Sequence, residues 1–155
     1  MTRVWLFLHL LGQIAWLGGA FASMLAGGLR RREDAAGQAL LARVQFVLHQ
    51  RLIGPGAFAT IVSGLFLSLR AAAVFRELDG PNAWLIVMQA TGVLGGLIVL
   101  FVAVPTAARL SRLQPVGASA LLFEELRRRQ AITGSVAGVL GLAALVAGTL
   151  VRYGG

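Results

Sequence analysis

Residues 7–19 read FLHLLGQIAWLGG, an apolar run interrupted by one histidine and one glutamine. The apolar character begins near residue 3, continues to residue 28 and stops at three consecutive arginines, Arg30 to Arg32. An α-helix needs about 20 apolar residues to cross roughly 30 Å of hydrocarbon, at 1.5 Å per residue. The segment therefore predicts a first membrane-spanning helix, and the ionisable ring inside it needs an explanation.

The composition of the chain points to the lipid bilayer. Of 155 residues, 57% are hydrophobic and 13% are charged. A soluble domain of this size could not cover so much apolar side chain, because most of its surface faces water. The chain has no cysteine, which excludes disulfides, thiolate zinc sites and iron–sulfur sites. The net charge of +8 comes from arginines that flank apolar runs, so it indicates membrane topology and anionic lipid, and no nucleic acid partner.

Further apolar stretches have the length of a membrane span, so the sequence predicts an all-α, integral membrane four-helix bundle in a single domain. The predicted spans are residues 3–28, 51–72, 83–106 and 130–151. Residues 36–50 and 118–130 contain no helix breaker and keep apolar residues on one side, which predicts cytoplasmic extensions of the second and fourth helices. Pro55, between two glycines, predicts a kink in the second helix. Residues 79–81 predict a turn before the third.

The arginines are divided unequally between the two ends of the predicted bundle. One end carries Arg30, Arg31, Arg32, Arg43, Arg51, Arg109, Arg112, Arg127, Arg128 and Arg129, and the other carries Arg3, Arg70, Arg76 and Arg152. Because basic connections stay in the cytoplasm, we expect a multi-pass protein of the bacterial inner membrane with both termini on the periplasmic side. Residues 1–22 also have the shape of a signal peptide. Since the apolar run continues from Met24 to Leu29, we expect the segment to be retained as the first span.

The first and third spans begin with similar residues, Trp5-Leu-Phe-Leu-His9 and Trp84-Leu-Ile-Val-Met88. Each span follows an outer segment, ends near arginines and precedes an extended helix. The pattern predicts two hairpins related by an axis along the membrane normal, as in internally duplicated membrane proteins.

His9 lies about six residues inside the first helix, roughly 9 Å from its outer end. One face of this helix carries residues that recur every three or four positions: Trp5, His9, Gly12, Trp16, Gly19 and Ser23. Small residues mark close helix packing in membranes, so His9 is predicted to face the bundle, where ionisable residues are functional candidates. Two interpretations stay open: a hydrogen bond within ordinary packing, or a metal ligand, since neutral imidazole is the commonest one.

Met88 is the counterpart of His9 in the third span and lies at a similar depth. A pair of His9 and Met88 suits haem iron and also Cu(I), whereas a lone methionine more often fills a gap in packing. His49 lies roughly 20 Å or more from His9 along the membrane normal. Its favoured interpretation is an interfacial histidine beside Arg51, and an inner-side cofactor is the alternative. With two histidines in the chain, a bis-histidine haem would require two chains.

Other residues limit the possible chemistry. Arg51 is a candidate for a haem propionate or a lipid phosphate, and lipid is favoured. Gln13 and Gln89 are expected to form hydrogen bonds between helices. No acidic residue lies inside a predicted span, which disfavours proton-driven exporters, and the sequence contains no hydrolytic constellation.

The pattern Leu8-His9 with Trp16-Leu17-Gly18-Gly19, followed by Arg51-Leu52 and Pro55, resembles a superfamily of bacterial integral membrane proteins. The superfamily includes the copper-resistance protein D family, the HemJ type of protoporphyrinogen oxidase and a branch of uncharacterised predicted membrane proteins, which the whole chain resembles most. The resemblance covers roughly residues 4–70. It implies a helical bundle that binds b-type haem through His9, with a supporting role for Arg51.

The third span departs from the oxidase pattern. Met88 stands four residues after Trp84, where the oxidase branch has a lysine, and residues 97–105 lack a histidine found in that branch. The resemblance therefore implies haem or copper binding and does not extend to porphyrinogen oxidation.

These residues support functional hypotheses of different classes. The first is a redox-related protein that binds haem b or copper in the outer half of the bundle, or copper alone as an import or tolerance factor. Its candidate cofactor-binding residues are His9, Met88, Arg51 and Trp16, with His9 and Met88 as metal ligands. The protein would sit among membrane lipids as a homodimer or in a larger complex. The alternative is a non-catalytic accessory subunit of a respiratory or photosynthetic complex, and no pattern assigns a catalytic residue.

Overall fold

A computed structural model of the protein describes residues 2–75 and 83–151, without the side chains of residues 71–75. All the elements in these residues are helical. They are α1 (Thr2–Arg30), α2 (Ala35–Leu48), α3 (Gly54–Phe75), α4 (Ala83–Ile98), α5 (Val104–Leu110) and α6 (Ala120–Leu150), with π-helical turns at His49–Ile53 and Val99–Ala103 and a 3₁₀ turn at Gly117–Ser119. The turn predicted for residues 79–81 lies outside the described residues.

Four helical segments are long and apolar enough to cross a membrane: Thr2–Arg30, Ala35–Arg70, Ala83–Leu110 and Gly117–Leu150. This confirms the predicted all-α, multi-pass membrane protein. The extensions predicted for the second and fourth helices are present, because α2 and α3 continue into each other and α6 begins well before its apolar part. Asp34 caps the second helix by accepting the Gly37 N–H at 2.8 Å, as expected for a carboxylate at a helix start.

At Pro55 the structure has a π-helical turn where the sequence predicted a kink. Proline has no N–H, and its ring crowds the carbonyl four residues earlier. The preceding π turn widens the helix, so that the Gly54 N–H donates to the His49 carbonyl five residues back. The same device precedes Pro105, where the Val104 N–H donates to the Val99 carbonyl. A repeat of hairpins would relate the first helix to the third and the second helix to the fourth. The two π turns lie on the second and third helices and so do not support the repeat, which stays a prediction.

The helices pack most closely as two pairs, α1 with α3 and α4 with α6, which are the two predicted hairpins. Gly12 and Gly56 allow the closest approach of α1 and α3. A Cβ atom added to Gly12 would lie 2.8 Å from the Gly56 carbonyl oxygen. The contacts between α1 and α6 are much sparser, and this difference leaves room for a cavity.

Trp16 of α1 fills the centre of the bundle and is 0% exposed. Its ring fits against glycines of the other hairpin, since a Cβ added to Gly95 of α4 would lie 3.0 Å from Trp16 Cη2. A Cβ added to Gly141 of α6 would lie 3.4 Å from Trp16 Cζ2. One large aromatic side chain therefore joins the two hairpins through notches made by small residues.

Candidate ligand-binding cavity

The sparse seam between α1 and α6 contains a cavity of about 470 Å³, a volume typical of small-molecule sites. On α1 its wall runs from Trp16 to Arg31, about 22 Å of helix at 1.5 Å per residue. Much of the wall consists of small residues of the two helices: Ala20, Gly27, Gly28, Ala131, Gly134 and Gly138. Cβ atoms added to Gly134 or Gly138 would meet nothing within 4 Å, so the space beside them is open.

A chain of hydrogen bonds crosses one side of the cavity and joins three helical segments. The Gln130 Nε2 amide donates to His49 Nε2 at 2.7 Å, and His49 Nδ1 donates to the Gln45 carbonyl at 2.7 Å. The Gln45 side-chain amide in turn donates to the Ser23 carbonyl at 2.7 Å. These roles require a neutral His49 with its proton on Nδ1, because Nε2 must accept the amide hydrogen. The network fixes the polar side chains that face the cavity.

Five buried side-chain atoms of the described residues have no hydrogen-bond partner: Trp16 Nε1, Arg30 Nε, Arg30 Nη1, Gln45 Oε1 and Gln130 Oε1. All five belong to residues that line this cavity. A buried polar atom without a partner costs about 1–3 kcal/mol, and folded proteins contain few of them. The residues of the cavity wall therefore carry three donors and two acceptors whose hydrogen bonds are not made within the described residues.

Arginines surround one end of the cavity, which we name the arginine end: Arg30, Arg31 and Arg127. Arg30 is only 3% exposed, and its Cζ lies 5.7 Å from the centroid of the Phe123 ring. The Arg127 guanidinium is bonded to the exposed carboxylate of Glu124. Positive charge therefore exceeds negative charge at the arginine end of the cavity.

His9 lies outside this cavity and packs against α3, as its position on the small-residue face predicts. Its Nδ1 is 3.0 Å from the Thr60 carbonyl oxygen and 3.2 Å from Ser63 Oγ. Because Ser63 gives its own hydroxyl proton to the Ala59 carbonyl, it accepts from His9. Nδ1 therefore carries the proton in both contacts, and Nε2 keeps the lone pair. Metal-binding histidines commonly show this arrangement, and ordinary packing also accounts for it.

Met88 does not share these contacts. Its Sδ would lie 3.1 Å from a Cβ added to Gly148, which places the Met88 side chain in the interface between α4 and α6. The contacts of His9 run to Thr60 and Ser63 of α3. No described contact joins the two residues, so the His9–Met88 pair stays a prediction.

The remaining candidates have different positions. Trp16 lines the cavity, and Arg51 lies exposed on the π turn. His49, on the same turn, is 4% exposed and lines the cavity; it therefore faces the interior of the bundle, and its location at the membrane interface stays a prediction. Residues two apart on a helical turn point to different sides, which explains how Arg51 and His49 separate. Within residues 2–75 and 83–151, no cluster of three His, Cys, Asp or Glu side chains could hold a metal ion.

The hydrogen bonds expected between helices for Gln13 and Gln89 are confirmed. Gln13 Nε2 donates to the Gly141 carbonyl at 3.1 Å, and Gln89 Nε2 donates to Ser68 Oγ at 2.8 Å. Sequence reasoning did not single out Gln45, Gln130 or Arg30, because each stands near a run of charges that is typical of a membrane surface. Gln45 is a polar residue on an otherwise apolar helix face, and this pattern could have indicated its role.

The chain matches no protein-family model, no curated protein and no solved structure.

Proposed function

We propose that this protein binds a small amphiphilic ligand in the cavity between α1 and α6. The observation that carries the proposal is that all five unpaired buried atoms belong to residues that line that cavity. Ordered water needs several polar partners, and most of the wall is apolar, as at Ala20, Gly134 and Gly138. A molecule with both apolar and polar parts would match a wall that is mostly apolar and carries unpaired polar groups.

Filling the cavity should remove the ligand without disturbing the fold. We expect protein purified in mild detergent to retain a stoichiometric small molecule, detected by solvent extraction and mass spectrometry. Gly138→Leu should lose it, because the new side chain extends into open space in the cavity. Gly18→Leu is the matched control, since Gly18 is exposed, lies outside the cavity wall and also has nothing within 4 Å of an added Cβ. Absence of any molecule in the wild type, or equal retention in both variants, would contradict the proposal.

We further propose that the arginine end faces the cytoplasm of a bacterium and that both termini lie in the periplasm, as the distribution of arginines favours. The chain has no cysteine, so single cysteines report position cleanly. In spheroplasts, a membrane-impermeant maleimide should label Thr2→Cys at once. It should label Gln114→Cys, in the connection between α5 and α6, only after permeabilisation. The reverse labelling pattern would show that the termini are cytoplasmic and would contradict this orientation.

The second candidate function is redox-related binding of b-type haem at His9. The supporting observation is that His9 Nδ1 donates to the Thr60 carbonyl and leaves Nε2 with its lone pair. When bound, haem b would supply one-electron chemistry, and His9 would hold its iron. Because the contacts of Met88 lie elsewhere, His9 of a second copy would provide the second imidazole, which makes a homodimer part of this candidate. It also rests on the resemblance of residues 4–70 to the superfamily described above.

Copper at His9 and an accessory role are the competing outcomes. A copper site needs several soft or imidazole ligands, and the described contacts of His9 include one hydroxyl and one carbonyl. A purified protein that contains copper but lacks haem would favour the copper hypothesis. A colourless, ligand-free protein that co-purifies with a large complex would favour the accessory subunit.

A further inference from the structure

The charges at the arginine end identify the ligand class, given the ligand-binding function proposed above. We infer that the cavity holds an anionic acyl lipid: its acidic head group lies at Arg30, and its hydrocarbon chain follows α1 towards Trp16. A carboxylate and a phosphate share the required chemistry, so a free fatty acid and an anionic phospholipid are the two sources to distinguish.

Arg30 is the residue that requires an anion. It is 3% exposed, and its Nε and Nη1 atoms have no partner. A buried cation without a counter-charge is costly, whereas a paired and hydrogen-bonded one is tolerated. The nearby Glu124 carboxylate is already bonded by Arg127. A carboxylate or phosphate oxygen from the ligand would supply both the missing charge and the missing hydrogen bonds, in the geometry that guanidinium groups favour.

The shape of the cavity favours a chain over a broad ring. About 470 Å³ is spread over a wall that runs from Trp16 to Arg31, about 22 Å along the helix, so the space is long enough for an acyl chain. Hydrocarbon contacts are available along its length at Leu17, Ala20 and Gly138. A porphyrin fits less well here, because the His49 Nε2 that would bind its iron accepts the Gln130 amide instead.

The lipid can enter from the side of the bundle. The rim of the cavity includes large apolar residues that are exposed on the outer surface: Phe21 at 51%, Met24 at 62% and Val139 at 65%. In a membrane these residues face acyl chains. Arg30 ends α1 and Arg31 follows it. Because arginines at the end of an apolar span extend to the head groups, a lipid of the adjacent leaflet would enter with its head group at the depth of these side chains.

Trp16 provides a direct reporter, because it lines the cavity and is shielded from the bulk lipid. Trp5→Phe and Trp84→Phe leave it as the only tryptophan of the three in the chain. This protein, in neutral phosphatidylcholine nanodiscs, would be titrated with three probes brominated near the chain end: phosphatidylglycerol, phosphatidylcholine and a free fatty acid. We expect saturable quenching of Trp16 by phosphatidylglycerol, by the fatty acid or by both, and none by phosphatidylcholine. The stronger of the two anionic probes identifies the source.

Charge variants test whether the arginine end selects the head group. Arg30→Gln should weaken quenching by the anionic probe at least about tenfold, because charged hydrogen bonds contribute about 1.5–3 kcal/mol. Arg32→Gln, an exposed neighbour outside the cavity wall, should leave it unchanged. Glu124→Gln should strengthen anion binding about two- to fivefold by removing a competing surface charge. Glu125→Gln, which removes the same charge from a residue that is not bonded to Arg127, should not.

The outcomes separate this inference from the ligand-binding function. Equal quenching by neutral and anionic probes that Gly138→Leu abolishes would overturn the anionic class and leave the cavity as a ligand site. The anionic class would also be overturned if Arg30→Gln and Glu124→Gln both leave binding of the anionic probe unchanged. Absence of quenching by every probe, with no ligand retained on the purified protein, would overturn both.

Discussion

Gly56→Leu should separate α1 from α3 and destabilise the protein by about 3 kcal/mol or more, at the upper end of the costs of overpacking. A Cβ atom on residue 56 would lie 2.7 Å from the Trp16 backbone nitrogen and 2.8 Å from the Gly12 carbonyl oxygen. Both are backbone atoms, so no side-chain rotation can relieve the overlap. The two helices would have to move apart along the seam that buries Trp16.

The measurement is denaturant unfolding in detergent, followed by tryptophan fluorescence, with Gly18→Leu as the matched control. Gly18 is exposed and has nothing within 4 Å of an added Cβ, and leucine is a better helix former than glycine. Gly18→Leu should therefore leave stability unchanged or raise it slightly. Equal unfolding curves for Gly56→Leu and the wild type would show that α1 and α3 do not meet through these glycines.

His9→Ala should abolish the Soret band of the purified protein if haem is bound at the α1/α3 site. The change removes the Nε2 lone pair that the Thr60 hydrogen bond leaves available, and no other histidine lies near it, since the second one lines the cavity. The expected effect is complete loss of the band, because losing the protein's iron ligand on both copies removes the attachment of the haem.

His49→Ala is the comparison that assigns the iron to one site. The Nε2 of His49 accepts the Gln130 amide, so this variant should keep the Soret band while it disturbs the cavity. If His49→Ala loses the Soret band and His9→Ala retains it, the haem iron is bound in the cavity and not at His9. A wild-type spectrum without a Soret band would reject haem binding altogether.

Much of the architecture could be predicted because membrane insertion depends on composition and length. The apolar run around Trp16 and the arginines that follow it define a membrane span whatever helices pack against it. Hydrocarbon excludes charge and requires the backbone to form its hydrogen bonds internally. The lengths of the second and fourth helices followed from the absence of breakers in residues 36–50 and 118–130. The π turn before Pro55 was not predictable in the same way, because a kink and a widened turn both relieve the same steric overlap.

The polar residues show where sequence reasoning stopped. His9 stood out because apolar residues surround it, and its contact with α3 followed from the small-residue face. Gln45, His49 and Gln130 stand beside arginines, where hydrophilic side chains ordinarily face head groups. Their burial depends on which helices meet and at what height, and no local pattern encodes that height.

The amino-acid sequence alone determined that this chain forms four apolar helices, with its arginines concentrated at one end, because the free energy of placing each residue in lipid depends on that residue and its near neighbours. Only the tertiary structure decided that α1 and α6 would pack loosely, that Arg30 would be buried with two guanidinium nitrogens lacking hydrogen bonds and that His49 would face a cavity. Those features arise from side chains more than 80 positions apart meeting in space, as His49 meets Gln130. Packing between helices sets such meetings, and hydropathy along the chain does not record them.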